Sequence, residues 1–246
     1  MDCTHRSRWA GLSLLVALVA GCGLSNVEGS GKFITDERTT DDFRALDVSD
    51  GIDATVVVDS TQPTHVRILG DDNLVQRVRT LVAQDGTLHV DFRDKNGAGW
   101  TSFNPLRAEV TVPRLESLTR SGGGEVDLSG VISAPTFLLS ASGGGTVKAQ
   151  GLAVQQLNVD LSGAVVTTLA GQANRIKSST SGGVVMNARE LSAQEASLVS
   201  SGAGSTVLRV SDSLSVSASG GVEVHILGRP SVVAQDLSGG ATLTFE

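Results

Sequence analysis

Tyrosine is absent from this chain, and aromatic residues make up 3% of its 246 positions. Between residues 121 and 246 the only aromatics are Phe137 and Phe245. Enzymes that cleave polysaccharides usually stack aromatic rings on sugars, so that stretch offers little for such a groove. Basic clusters are missing too, and the formal net charge is −7. That balance argues against nucleic acid or anionic lipid as a partner. No helix-period stripe of useful length occurs after residue 121, which excludes a helical architecture there. The familiar motifs of catalysis and metal binding (H-x-x-x-H, C-x-x-C, G-x-S-x-G, a phosphate loop) are not found either. His5, His65, His89 and His225 stand in separate segments without a partner motif. No cofactor and no metal is expected.

What the chain does have is a repeat. A serine-glycine step returns at Ser121, Ser142, Ser162, Ser181, Ser201, Ser219 and Ser238, at successive spacings of 21, 20, 19, 20, 18 and 19. A near-fixed period marks stacked supersecondary units. Each unit holds two short stretches of alternating apolar and polar residues, such as Val222-Glu-Val-His-Ile226, which is the period of a strand with one buried face. Glycines sit between them, where corners are expected. The prediction is an all-β fold: a right-handed parallel β-helix, a solenoid with about 20 residues per coil and an atypical N-terminal capping region. A leucine-rich repeat would need leucines that are missing, and a propeller blade about twice the length. Gly122-Gly-Gly-Glu-Val-Asp127 only partly echoes the calcium-binding nonapeptide, with the wrong spacing.

Cysteine usage points to a cellular address. Residues 1–21 combine Arg6 and Arg8 with a short apolar run from Trp9 to Val19 and end at Leu18-Val-Ala-Gly-Cys22, which resembles a lipobox. The run is too short to span a bilayer and fits a signal peptide. Cleavage before Cys22 removes Cys3, so no disulfide is expected and packing alone must hold the domain. Acylation explains the leftover thiol, as palmitate-type lipid chains on Cys22 would anchor the chain to a membrane. Loss of Asp2, Arg6 and Arg8 takes the formal charge from −7 to −8. Residues 22–32 are then read as a lipidated, flexible tether, residues 33–118 as an N-terminal cap and first layers, and residues 119–246 as the Ser-Gly repeat.

In the 33–118 region, strands are predicted at Phe43–Val48, Ile52–Asp59, His65–Leu69, Thr87–Phe92 and Ala108–Val112, with a short helical turn after Asp71. Phe43-Arg-Ala-Leu-Asp-Val-Ser-Asp-Gly-Ile52, Gly70-Asp-Asp-Asn-Leu74, Asp85-Gly-Thr-Leu-His-Val90 and Val110-Thr-Val-Pro-Arg-Leu115 precede the Ser-Gly-Gly ladder in that order. This order resembles the bacterial head GIN domain, a family of unknown function labelled as auto-transporter adhesins, over roughly residues 40–246. The resemblance implies a β-helical envelope protein, and the family supplies no catalytic residues to carry over.

Two constellations remain. Glu125 and Asp127 fall on one face of a strand, about 7 Å apart by strand rise, a separation used by inverting glycosidases, although same-face carboxylates on a solvated strand are common. Trp100 and Phe103 lie on a Gly- and Asn-containing loop, where aromatics serve either as contact anchors or as a small satellite core. The leading expectation is a non-enzymatic lipoprotein of the bacterial envelope (of the outer membrane in a Gram-negative cell). Its β-helix would serve as an adhesin-like or scaffolding surface for envelope polysaccharide or a surface protein. A carbohydrate-active protein using Glu125 and Asp127, and an envelope-sensing accessory, are the alternatives. Cys22→Ser is expected to leave the precursor uncleaved or to release it from the membrane. Fractionation and maturation like wild type would contradict the lipid anchor.

Overall fold

A computed structural model describes residues 26–94 and 99–246; Cys22 and the signal segment lie outside them. The fold is all-β, with a nearly closed, barrel-like sheet of 13 strands. Alternation in the sequence becomes alternation in burial. Along β4 (Asp53–Val58), Ala54, Val56 and Val58 point inward and are buried, while their neighbours face out. Such strands need partners on both edges, and parallel neighbours provide them. β3 (Ala45–Val48) and β4 pair in parallel with β10 (Ser117–Arg120) and β11 (Glu125–Gly130). Those in turn pair with β12 (Ile132–Gly182). Then β12 pairs with β13 (Val185–Leu227), and β13 with β14 (Ser231–Gly239) and β15 (Thr242–Phe245).

The registers match the sequence repeat. Ser117 lies beside Leu138, Gly182 beside Gly202 and Gly220 beside Gly239. In-register stacking puts like on like inside. Leu88, Leu46, Leu118 and Leu139 form one buried column, and Val110, Val56, Leu128 and Ala149 another. Columns of matched aliphatic side chains remove apolar surface from water at about 25 cal/mol per Å2.

Ser-Gly steps form the corners. Gly182 and Gly202 adopt φ of 97° and 105°, the left-handed region that a side chain disfavours. A Cβ on Gly182 would also lie 2.6 Å from the carbonyl oxygen of Gly163, and one on Gly202 2.6 Å from that of Gly182. The same contact recurs from Gly143 on Gly122 to Gly220 on Gly202. The glycines are therefore required twice, by torsion and by approach.

Arg120 interrupts an inward column, between Val48 and Ala141, and is 1% exposed. Its guanidinium donates to the carbonyls of Gly122 (2.8 Å), Gly124 (3.1 Å), Ser142 (3.3 Å) and Gly144. Burial lowers its pKa, while the charge of Asp53 opposes that. Two glycine-rich corners thus share one donor; the Gly122 and Gly124 carbonyls also accept from the backbone N–H groups of Gly144 (3.0 Å) and Thr146 (3.1 Å), so Arg120 adds a second bond to each.

The N-terminal half departs from a sequential stack. β7 (Thr87–Phe92) and β9 (Arg107–Val112) flank β3 and β4 on the side opposite β10 and β11. The chain thus lays down an inner layer, then the outer one, then returns to the far side of the first. Antiparallel strands close this end: β5 (His65–Asp71) on β9, β2 (Phe33–Arg38) on β5, and β6 (Val78–Val82) on β7. The expected strands are all present, as is the helical turn, α1 (Asp72–Val75); β2 and β6 were not expected from the sequence.

One expectation is corrected. Within the segment 22–32, residues 26–31 are not a free tether. β1 (Val27–Glu28) pairs in parallel with β8 (Trp100–Thr101), Ser30 N donates to Asn73 Oδ1 at 2.8 Å, and Asn73 Nδ2 to the Glu28 carbonyl at 2.8 Å. Small polar residues read as flexible because they bury little, but here their backbone groups find partners.

Gly182→Val should destabilise the fold by about 2–6 kcal/mol, from left-handed strain plus overpacking. Ser181→Ala, exposed beside it, should cost about 1 kcal/mol or less. Denaturant melts of both variants check the contrast, and equal stability would contradict close glycine stacking.

Candidate functional site

The aromatic loop is built around one carboxylate. Asp71, at the end of β5, is fully buried. Its Oδ2 accepts from the Phe103 backbone N–H at 2.8 Å and that of Asn104 at 3.4 Å, and its Oδ1 from Asn104 Nδ2 at 2.5 Å. Gly29 packs so closely that a Cβ would strike Asp71 Oδ2. Burial pushes the Asp71 pKa up, but donors on Asn104, Phe103 and Gly31 outweigh it and hold the group below the ordinary carboxylate range.

The two aromatics of the loop part company. Trp100 is half-buried; its indole N–H donates to the Asp50 carbonyl at 3.0 Å, and its ring meets Phe92 with centroids 6.2 Å apart and planes at 47°. Trp100 thus packs under the loop against the core. Phe103 is 69% exposed although its backbone is pinned. Phe33, which sequence reasoning passed over, sits opposite Asp71 in the register of β2 and β5 and is 54% exposed. Any contact role at this end falls to Phe103 and Phe33.

The carboxylate pair meets a lysine. Asp127 is in register with Lys148 on the neighbouring strand. Lys148 Nζ contacts Glu125 Oε1 and lies 3.7 Å from Asp127 Oδ1. The hydrogen bond to Glu125, then the charges of Asp127 and Glu125, raise the Lys148 pKa. Half-exposed on an open strand, the three groups form a surface ion cluster in which both carboxylates face a cation. The histidines stay apart: His65 meets Glu37 at 2.6 Å, His89 meets Asp47 at 3.1 Å, and His225 meets Glu246 at 3.1 Å. Among the described residues no group of three His, Cys, Asp or Glu could hold a metal ion.

A groove runs across the later layers, and sequence reasoning missed it. Its first part, about 700 Å3, runs from Val58 and Arg114 past Ser133 and Pro135 to Gln155, Gln172 and Asn174. A second part, about 600 Å3, shares Gln172 and Asn174 and continues over Ser192 and Gln194 to Arg209, Ser211 and Arg229. A third, about 420 Å3, joins them along Gln155, Asn174 and Gln194. Inward-pointing Ala134, Val154, Ala173 and Ala193 form its floor. Registers Gln172↔Ser192 and Ala173↔Ala193 carry the lining from layer to layer. Single amides 20 residues apart form no motif in the linear chain, and only the register sets them in a row.

This chain belongs to the family described as "Putative auto-transporter adhesin, head GIN domain", whose model matches residues 42–230. Its fold is similar to that of a "putative adhesin" from Bacteroides fragilis, with 22% identity, 89% of this chain and 99% of that one covered, and a TM-score of 0.80. It is also similar to a "putative lipid binding protein" from Parabacteroides distasonis, with 16% identity, coverage of 90% and 99%, and a TM-score of 0.74. A "putative adhesin" from Parabacteroides merdae, with 22% identity and coverage of 90% and 99%, gives a TM-score of 0.65. No curated protein sequence matches the chain.

Asp71→Asn should destabilise the N-terminal end. Because the folded pKa is depressed, the carboxylate's contribution is complete above its unfolded pKa and disappears as pH falls through the folded value. The stability gap between wild type and Asp71→Asn, measured by urea melts, should therefore narrow in acid. A gap independent of pH would contradict the assignment.

Proposed function

We propose that the chain is a non-enzymatic lipoprotein of the bacterial cell envelope, anchored through lipid on Cys22 and presenting an adhesin-like or scaffolding surface. In this reading the stack is a right-handed parallel β-helix with about 20 residues per coil. The parallel registers near 20 residues support the coil length, and the strong preference of parallel crossovers supports the hand. The observation that carries the function is the glycine-locked, in-register stack. It makes a stiff body with long lateral faces, in which contact groups are fixed before a partner arrives, and fixed groups lose less entropy on binding.

Membership of an adhesin-labelled family supports the same reading, as does the lipobox-like Leu18-Val-Ala-Gly-Cys22. The partners proposed are envelope polysaccharide or a surface protein. The carboxylate alternative loses ground because Lys148 bridges Glu125 and Asp127.

Phe103 supplies a first contact to probe, since it is exposed on a backbone that Asp71 holds. Phe103→Ala is expected to weaken attachment to isolated bacterial envelopes by about 2 kcal/mol with the β-rich circular dichroism spectrum unchanged. Wild-type protein that retains no envelope component, or that releases sugar from envelope polysaccharide, would overturn the non-enzymatic adhesin-like reading.

A further inference from the structure

The groove across the later layers has unused binding capacity. Gln155, Gln172, Asn174 and Gln194 are exposed, and among the described residues their side-chain amides make no hydrogen bond. Each amide offers donors and an acceptor, the combination that sugar hydroxyls require. Ser133 and Ser192 add hydroxyls along the same path.

Charge then narrows the ligand. The chain carries a formal net charge of −7, yet the groove lining is short of carboxylates. Glu195, the carboxylate on its wall, is paired with Arg175 at 2.6 Å. Arg209 and Arg229, at the far end of the groove, form no ion pair among the described residues; Arg209 feels Glu246 through space only, and Glu246 is held by His225. Two free guanidiniums in an otherwise acidic protein suit carboxylates, which they grip in a planar, bidentate fashion.

Length gives the form of the ligand. From Val58 to Arg229 the groove crosses about six strand separations of ~4.8 Å, so it runs roughly 30 Å. A single sugar would leave most of it empty. The floor is aliphatic and carries no aromatic ring, so recognition must rest on hydrogen bonds and charge rather than ring stacking.

We propose that this groove binds an extended acidic polysaccharide, a polymer of uronic acid type. The sugar hydroxyls would lie along the Gln155–Asn174–Gln194 row, with carboxylates at Arg209 and Arg229. The inference rests on the adhesin-like reading and names the ligand class and its site.

Titration calorimetry of the full chain with polygalacturonate oligomers tests it, with neutral dextran and duplex DNA as controls. Polygalacturonate should bind, more weakly as salt rises, and dextran and DNA should not. The double variant R209Q/R229Q, altered only at exposed positions, should lose about tenfold in affinity or more, the usual worth of hydrogen bonds to charged groups. N174A/Q194A should lose affinity with an unaltered salt dependence, because it removes no charge. No binding of polygalacturonate, equal binding of dextran or DNA, or unchanged affinity in R209Q/R229Q would each overturn the groove assignment. Retention on isolated envelopes, measured alongside with the same variants, separates the two readings. Envelope binding that persists in R209Q/R229Q together with unchanged polygalacturonate affinity overturns the groove while sparing the adhesin-like surface. Loss of all envelope binding by wild type removes both.

Discussion

The close approach of glycine backbones at the corners sets the terms for everything else. From Gly143 to Gly220, each corner glycine rests on the carbonyl of the one a layer away, with no room for a Cβ between them. That contact fixes the layer spacing at the usual strand separation, about 4.8 Å. It also holds the registers, so inward leucines and valines meet their own kind. A single larger side chain at Gly182 or Gly202 would separate layers that the aliphatic columns need in contact. Arg120 belongs to the same arrangement, since its guanidinium gathers carbonyls of two adjacent glycine-rich corners.

A stack of this kind must close its ends, and the N-terminal end does so with antiparallel strands. Strands β2, β5 and β6 cover what would otherwise be bare parallel edges, which invite association with other chains. Asp71 completes the closure. A buried carboxylate is costly unless several donors surround it, and here the donors come from the N-terminal segment and the loop that carries Phe103. The same bonds that secure the end therefore also leave two aromatics, Phe33 and Phe103, exposed on a fixed backbone.

Rigidity and polarity divide the surface between two kinds of contact. The capped end offers exposed aromatic rings, whereas the groove offers amides, hydroxyls and free guanidiniums. Both are presented by backbone that is already ordered, so neither needs to be fixed at the moment of contact. The ion cluster of Glu125, Asp127 and Lys148 adds charge to a lateral face without forming a cleft.

Local chemistry was enough to reveal the repeat. Glycine at a near-fixed period and short stretches of alternation within each unit specify strands, corners and buried columns, because backbone torsion and the two-residue strand period are read within one unit. The same local reading found the loop of Trp100 and Phe103 and the carboxylate pair. It could not tell which ring would be buried, since that depended on the Asp50 carbonyl, 50 residues away in the chain, and on how Phe92 packs. Nor could it order the first layers, where β3 and β4 end up between strands that the chain makes later. Asp71 looked like a helix-capping residue, and residues 26–31 looked like a tether; only the meeting of distant segments made one a buried anchor and the other a strand. The groove is the clearest case. Gln155, Asn174 and Gln194 are unremarkable single amides in sequence, and they became a row because parallel register converts a distance of about 20 residues along the chain into one strand separation in space.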